Sequence, residues 1–136
     1  MTKKIRTLVG VSLLLTAAAA SAQIRNELRV NVPFQFVAGT RILPPGEYRV
    51  ILNSNNDIVR LDAPDSKDSY VLMPRVGTAQ DGRSYMRFHH YGEQWFLEEI
   101  STEGVKQDLF PGKAERKMIE AARSEGHPII ADIAIH

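Results

Sequence analysis

The stretch "YMRFHHYGEQWFLEEI", from Tyr85 to Ile100, decides the fold of this chain. Two runs rich in aromatic and apolar residues flank Gly92-Glu93. Glycine at the first position of a two-residue loop suits a type II′ turn, which is a common connection between antiparallel strands. We therefore predict a β-hairpin in which Tyr91 faces Gln94.

The predicted register fixes which residues share a face of the hairpin. Counting outward from the turn, His90 faces Trp95, His89 faces Phe96, Phe88 faces Leu97 and Arg87 faces Glu98. One face, expected to meet the core, holds Met86, Phe88, His90, Trp95, Leu97 and Glu99; the other, expected to be solvent accessible, holds Tyr85, Arg87, His89, Tyr91, Gln94, Phe96, Glu98 and Ile100. Adjacent residues point to opposite faces, so His89 and His90 should not share one metal ion.

The candidate catalytic residues of this hairpin are His89, Glu98 and Arg87. A histidine next to a carboxylate can transfer protons near neutral pH, and Arg87 opposite Glu98 would make a favourable cross-strand pair. The chain contains no G-x-S-x-G nucleophile motif. We therefore expect an exposed charge pair and no enzymatic activity, with a small hydrolase or isomerase using His89 and Glu98 as the weaker alternative.

Other motifs that would indicate a cofactor or a metal are missing from the sequence. There is no cysteine, no H-E-x-x-H and no glycine-rich phosphate-binding motif. We expect no metal site and no cofactor.

Further strands are predicted on both sides of a turn at Pro45-Gly46. "LRVNVPFQF" (28–36) alternates apolar and polar residues, and Pro33 within it requires an unpaired edge or a bulge. "EYRVIL" (47–52), "IVRLDA" (58–63) and "YVLMPRV" (70–76) follow after short polar loops. Strands at this spacing predict a mainly β fold, an antiparallel meander that forms a small barrel or sandwich.

One segment near the C-terminus has helical periodicity. "KAERKMIEAARSE", at about 113–125, is rich in strong helix formers, and its narrow apolar stripe is formed by Ala114, Met118, Ala121 and Ala122. We expect this helix on the surface of the sheet. The apolar tail Ile129–His136 is interpreted as a last strand at about 129–135; the alternative is an exposed end that docks a protein partner, and an exposed strand edge is the other candidate contact for such a partner.

The N-terminus predicts export. A basic start, an apolar run and the small-residue site Ala20-Ser21-Ala22 together make a secretory signal peptide, with cleavage expected after Ala22. The apolar run is shorter than a membrane-spanning helix requires, and it is interrupted by less apolar residues. We therefore expect no transmembrane anchor in the mature chain. A periplasmic or extracellular location follows.

Composition limits the function of the remaining segment, 23–136, which has the length of a single domain. Loss of Lys3, Lys4 and Arg6 with the leader changes the formal net charge from +1 to −2. Such a chain lacks the excess positive charge that nucleic-acid binding needs. We expect a non-enzymatic binding or structural module of the cell envelope.

Five aromatic residues are candidates for an apolar ligand site inside the barrel: Phe34, Phe36, Tyr48, Phe88 and Trp95. The interiors of small barrels are usually filled by their own side chains. Packing is therefore the favoured interpretation of these rings, and a small apolar-ligand carrier is the alternative.

Four blocks of the sequence also resemble a known family. "VNVPFQFVAG", "LPPGEYRV", "FHHYGEQWFLEEI" and "KAER", in this order, resemble small exported bacterial β-rich proteins of unassigned function. The resemblance covers about Val30 to Lys117 and implies an exported β-rich domain. It implies no activity, cofactor or catalytic residue.

Overall fold

The computed structural model describes residues 28–63, 67–79 and 81–136, and the predicted leader at 1–22 lies outside them. The predicted mainly β fold is confirmed. In chain order the elements are β1 (Leu28–Val32), β2 (Phe36–Ala38), β3 (Arg41–Leu43), β4 (Gly46–Leu52), β5 (Val59–Asp62), β6 (Ser69–Leu72), β7 (Arg75–Thr78), β8 (Tyr85–Tyr91), β9 (Gln94–Thr102), β10 (Val105–Asp108), α1 (Lys113–Ala122) and β11 (Ile129–Ala134).

The first sheet is antiparallel and has the order β1-β4-β5-β6. Val30 lies opposite Tyr48, and Val50 lies opposite Leu61. All four side chains are buried, because residues two apart on a strand share one face and this face meets the core.

The second sheet has the order β11-β8-β9-β10-β7, with antiparallel neighbours. The short hairpin β2–β3 adds to it, and β2 runs parallel to the first part of β9, with Phe36 opposite Trp95. The hairpin β8–β9 therefore lies in the middle of this sheet and positions most of the candidate site residues.

The bonds between Arg29 and His136 and the passage from β6 to β7 help to close the sheets into a curled, half-closed barrel. Arg29 and His136 exchange two backbone hydrogen bonds of 2.8 Å, which tie the end of the chain to β1. On the other side, β6 passes directly into β7 through Met73-Pro74. The predicted strand at 70–76 is thus divided at Pro74, since proline cannot donate to a ladder.

Pro33 divides the predicted strand at 28–36 in the same way. Strand β1 ends at Val32 in the first sheet, and β2 begins at Phe36 in the second. The alternation of apolar residues predicted the buried face correctly at Val30, Val32 and Phe36. Pro33 lies outside both strands, so no ladder bond requires the amide hydrogen that proline lacks.

The core fills the space between the two sheets. Its largest fully buried side chains include Tyr48, Phe36, Phe88 and Leu61. The Tyr48 hydroxyl donates a hydrogen bond to the carbonyl oxygen of Pro44. Burial raises the pKa of Tyr48 to about 12, with smaller contributions from Tyr70 and Asp68.

Helix α1 lies on the surface and begins at Lys113, as predicted, but its C-terminal end and its inner face need correction. It begins at Lys113 and ends at Ala122, three residues before the predicted end. Beyond Ala122 the backbone bonds become turn bonds, from Arg123 to Glu120 and from Glu125 to Ala122. Among the described residues no helix is long and apolar enough to cross a bilayer.

The face of α1 that meets the sheet differs from the predicted stripe. Ala114 and Ala121 are exposed, while the more protected positions are Glu115, Met118, Ile119 and Ala122. Their spacing of three, one and three residues matches one face of an α-helix.

The apolar tail forms the last strand. Ile129–Ala134 pairs with β8, and Ile135 is buried in the core. Ile129 and Ile130 remain exposed at the start of this strand. Contact of a partner with these two residues stays a prediction.

Candidate functional site

The hairpin β8–β9 follows the predicted register up to one point. The pairs nearest the turn, from Tyr91–Gln94 to Phe88–Leu97, are as predicted, and Gly92 in the turn has φ +60°. A β-bulge then leaves Glu98 unpaired, and Arg87 lies opposite Glu99. The predicted pairing of Arg87 with Glu98 is therefore wrong.

The bulge redistributes the side chains beyond it. With one extra residue in β9, Leu97 and Ile100 both reach the core although they are three residues apart; Leu97 is 2% exposed and Ile100 0%. The assignment of Glu99 to the core face and of Ile100 to the outer face is corrected. Burying Ile100 removes a large apolar side chain from water, which favours the bulged register.

Glu99 is the centre of a cluster on the outer face of the second sheet. Its Oε1 atom accepts a hydrogen bond of 2.9 Å from the Tyr85 hydroxyl. Its Oε2 atom lies 3.7 Å from Arg87 and 3.6 Å from Lys106. Burial raises the pKa of Tyr85, and the hydrogen bond to Glu99 adds to this effect.

This cluster lines a cleft of about 470 Å³, which we call the outer cleft. Thr78, Asp81, Tyr85, Arg87, Glu99 and Lys106 line it. Asp81 is held by Arg83 at 2.8 Å, and the Glu99 side chain is only 10% exposed. The side chains of Asp81, Lys106 and Arg87 are 38%, 36% and 31% exposed, so a ligand entering the cleft meets one carboxylate and two cations.

Arg87 is fixed by a residue that sequence reasoning missed. Asp132 of β11 lies opposite Arg87, and its two carboxylate oxygens accept hydrogen bonds of 2.8 and 3.0 Å. These bonds raise the pKa of Arg87. The guanidinium also stands over the Tyr85 ring, 5.1 Å from its centroid.

His89 and Glu98 do come together, but away from the outer cleft. His89 Nδ1 lies 3.8 Å from Glu98 Oε1 and 3.3 Å from the Tyr91 hydroxyl. Glu98 Oε1 is buried and has no hydrogen-bond partner among the described residues. Burial lowers the pKa of His89, and the nearby Arg87 charge lowers it further; both effects favour the neutral imidazole.

The two neighbouring histidines point to opposite faces. His90 packs against the Trp95 ring at 4.5 Å, whereas His89 lies near Tyr91 and Phe96. Among the described residues no group of three or more histidines, aspartates or glutamates is placed to hold a metal ion.

The five aromatic candidates form one cluster between the sheets. Phe34 stacks on Trp95 at 4.3 Å and meets Phe88 edge-on at 5.0 Å. Phe36 meets Phe88 at 5.2 Å and Tyr48 at 5.5 Å, both edge-on. Rings in such contact fill the space between them.

One further residue, Glu115 of α1, was missed as a candidate. It is 5% exposed, and its Oε1 atom has no hydrogen-bond partner among the described residues. Burial raises the pKa of Glu115 to about 7. Its position in the helix stripe with Met118, Ile119 and Ala122 was the sequence signal for burial.

The comparisons with family models, with curated proteins and with solved structures find no match to this chain.

Proposed function

We propose that this chain is an exported, non-enzymatic binding module, and that the outer cleft binds an acidic, extended polypeptide segment of a partner. The basic start, apolar run and small-residue cleavage site of 1–22 support export. The compact β framework supports the binding role, because it holds the cleft residues on rigid strands.

The main support for this proposal is that the charged side chains of the outer cleft lie apart from His89 and Glu98. The cations Arg87 and Lys106 line the outer cleft, together with the Asp81 carboxylate, which is paired with Arg83. His89 and Glu98, the pair suited to proton transfer, do not line it. A substrate in the cleft would thus lie away from the histidine–carboxylate pair, which favours binding over catalysis.

The chemistry of the cleft favours a carboxylate-bearing ligand. Glu99 lies nearly buried beneath Arg87 and Lys106, and it holds both cations in place. Arg87 and Lys106 are about a third exposed, so they can donate hydrogen bonds to a carboxylate of the ligand, which competes with Asp132 and Asp108 for them. Charge-assisted hydrogen bonds of this kind are stronger than neutral ones.

The neighbouring strand favours a polypeptide over a small molecule. Strand β7 is an edge strand of the second sheet and is exposed along its whole length. It ends at Thr78, which lines the outer cleft. An exposed edge can pair with an extended segment from another chain while pockets beside it select side chains.

Titration with short peptides tests the binding proposal. Polyglutamate should shift the backbone amide signals of β7 and Lys106 in NMR spectra, and added salt should weaken the effect. Lys106→Gln should weaken binding severalfold, whereas the control Lys117→Gln, on the exposed side of α1, should not. The proposal fails if polyglutamate shifts nothing, or if polylysine binds equally well.

Export has its own test. The protein recovered from outside the cytoplasm of a bacterial host should have the mass of residues 23–136 and begin at Gln23. Full-length protein retained in the cytoplasm would contradict the export part of the proposal and leave the cleft to be tested separately.

A further inference from the structure

Helix α1 is held on the sheet by few side chains. Glu115 is the only residue of this helix that is fully buried. Met118 contacts the hairpin turn so closely that a Cβ atom added to Gly92 would lie 2.9 Å from its methyl group. Gly112, before the helix, approaches the β2–β3 turn, where an added Cβ would lie 3.0 Å from the Gly39 carbonyl oxygen.

Among the described residues no side chain compensates a negative charge on the buried carboxyl of Glu115, and only its place in the first turn of α1, at the positive end of the helix dipole, favours one. Its Oε1 atom has no hydrogen-bond partner within the described part of the chain. The helical cations nearest in sequence, Lys113, Arg116 and Lys117, are all exposed. An ionised carboxylate without a partner is costly to keep away from water.

The described residues of the strands beneath helix α1 place no positively charged side chain against Glu115. Strand β8 presents Tyr91, which is 8% exposed and whose pKa is raised by burial and by the charge of Glu115. His89 lies behind Tyr91, with a lowered pKa. Within β9, Glu98 lies beyond His89.

The turns that touch the helix contribute exposed groups. Glu93 follows Gly92 in the β8–β9 turn, and Arg41 follows the β2–β3 turn; both side chains are exposed to solvent. Neither has an ion pair with Glu115.

We propose that ionisation of Glu115 releases helix α1 from the β8–β9 hairpin, which makes this helix a pH-dependent cover over Tyr91. In acid the neutral carboxyl tolerates burial, and the helix stays docked. At higher pH the carboxylate gains hydration by leaving the sheet, and the small contact made by Met118 opposes this weakly. Burial gives docked Glu115 a pKa of about 7 against the ordinary 4.5, so docking weakens as pH rises between these two values.

The methionines of the chain provide the test. Met118 reports on the helix contact, Met86 is fully buried in the core and reports on global unfolding, and Met73 is 75% exposed. The purified protein is labelled with ¹³C at the methionine methyl groups, and NMR spectra are recorded as a function of pH. Each signal is assigned by a Met→Leu substitution.

The expected change is confined to helix α1 and depends on the carboxyl of Glu115. As pH rises from about 4.5 to about 7, the Met118 methyl signal should move toward the position of exposed Met73, while Met86 stays fixed. The ratio of undocked to docked helix should grow by up to about tenfold per pH unit within this window and level off above it. Glu115→Gln should abolish the transition, and Glu115→Met provides a second neutral variant. The control Glu120→Gln, on an exposed part of the same helix, should retain it.

Three results would overturn the proposal. The Met118 signal could stay constant over the whole range; it could move together with Met86, which would mean global unfolding; or it could move equally in Glu115→Gln. None of these results bears on the outer cleft, because the binding proposal uses Lys106 and Arg87.

Discussion

Asp132 of the last strand holds Arg87 of the central hairpin through two hydrogen bonds of 2.8 and 3.0 Å. Arg87 in turn lies beside Glu99 and over the Tyr85 ring. The C-terminal strand thus fixes one of the two cations of the outer cleft, which links the end of the chain to the candidate binding site.

Asp132→Asn should weaken both the fold and the cleft. Because Arg87 and Asp132 are about a third exposed, solvent screens the pair, and we expect a loss of about 0.5–1 kcal/mol in the free energy of unfolding. Urea denaturation measures this loss. The control Glu125→Gln, at an exposed position, should change stability by less; an equal change would show that the Arg87 contact contributes nothing.

Ile100→Ala tests which side of β9 faces the core. In the bulged register Ile100 is fully buried, and its truncation should cost about 2–5 kcal/mol by thermal or urea denaturation. Without the bulge, Ile100 would lie outside and the same change would cost little. A substitution that leaves the unfolding midpoint unchanged would therefore contradict the bulge at Glu98.

Asp62 should make the fold sensitive to acid. Burial raises the pKa of Asp62, but hydrogen bonds from Ser69 at 2.7 Å and from Arg60 at 2.9 Å outweigh it and leave the pKa below the ordinary 3.8. A lowered pKa in the folded state stabilises the protein above the unfolded-state value, and this contribution is lost as pH falls through the folded value.

The matching measurement compares urea midpoints near neutral pH and below pH 3.8. Asp62→Asn should lower stability by about 1 kcal/mol at neutral pH and should flatten the dependence at acid pH. Ser69→Ala should have a smaller effect of the same sign. If the Asp62→Asn variant is as sensitive to acid as the unchanged protein, another carboxyl must be responsible for that sensitivity.

Gly92→Ala should loosen helix α1. Gly92 has φ +60°, which costs an alanine about 1 kcal/mol, and the new methyl group would meet Met118 at 2.9 Å. Shortening the partner in Gly92→Ala/Met118→Ala removes this clash, so the double change should cost less than the sum of the single ones. If the effects of the two single substitutions on the urea midpoint add up to that of the double substitution, the two residues do not touch.

The parts of the fold that follow simple alternation could be predicted from the sequence. Gly92-Glu93 defined the turn, and the register near it followed by counting. Period two placed Val30 and Val32 in the core. Strand β10, with the polar sequence Val-Lys-Gln-Asp at 105–108, lacks that signal and was missed.

The candidate site was less predictable because it depends on the bulge. Leu97 and Ile100 are three residues apart, which does not fit a regular strand, and the adjacent Glu98 and Glu99 gave no polarity cue for the extra residue. The pairing of Arg87 with Asp132 joins residues 45 positions apart, and counting from a turn cannot reach so far. Glu115 was missed because a glutamate is not expected on the buried face of a helix.

Cross-strand contacts between backbone protons measure the central feature directly, which is the extra residue at Glu98 that brings Glu99 to Tyr85, Arg87 and Lys106. Nuclear Overhauser spectra should show Arg87 opposite Glu99 and Met86 opposite Ile100. Contacts from Arg87 to Glu98 and from Met86 to Glu99 would mean a regular hairpin, which would turn Glu99 toward the core and contradict the outer cleft.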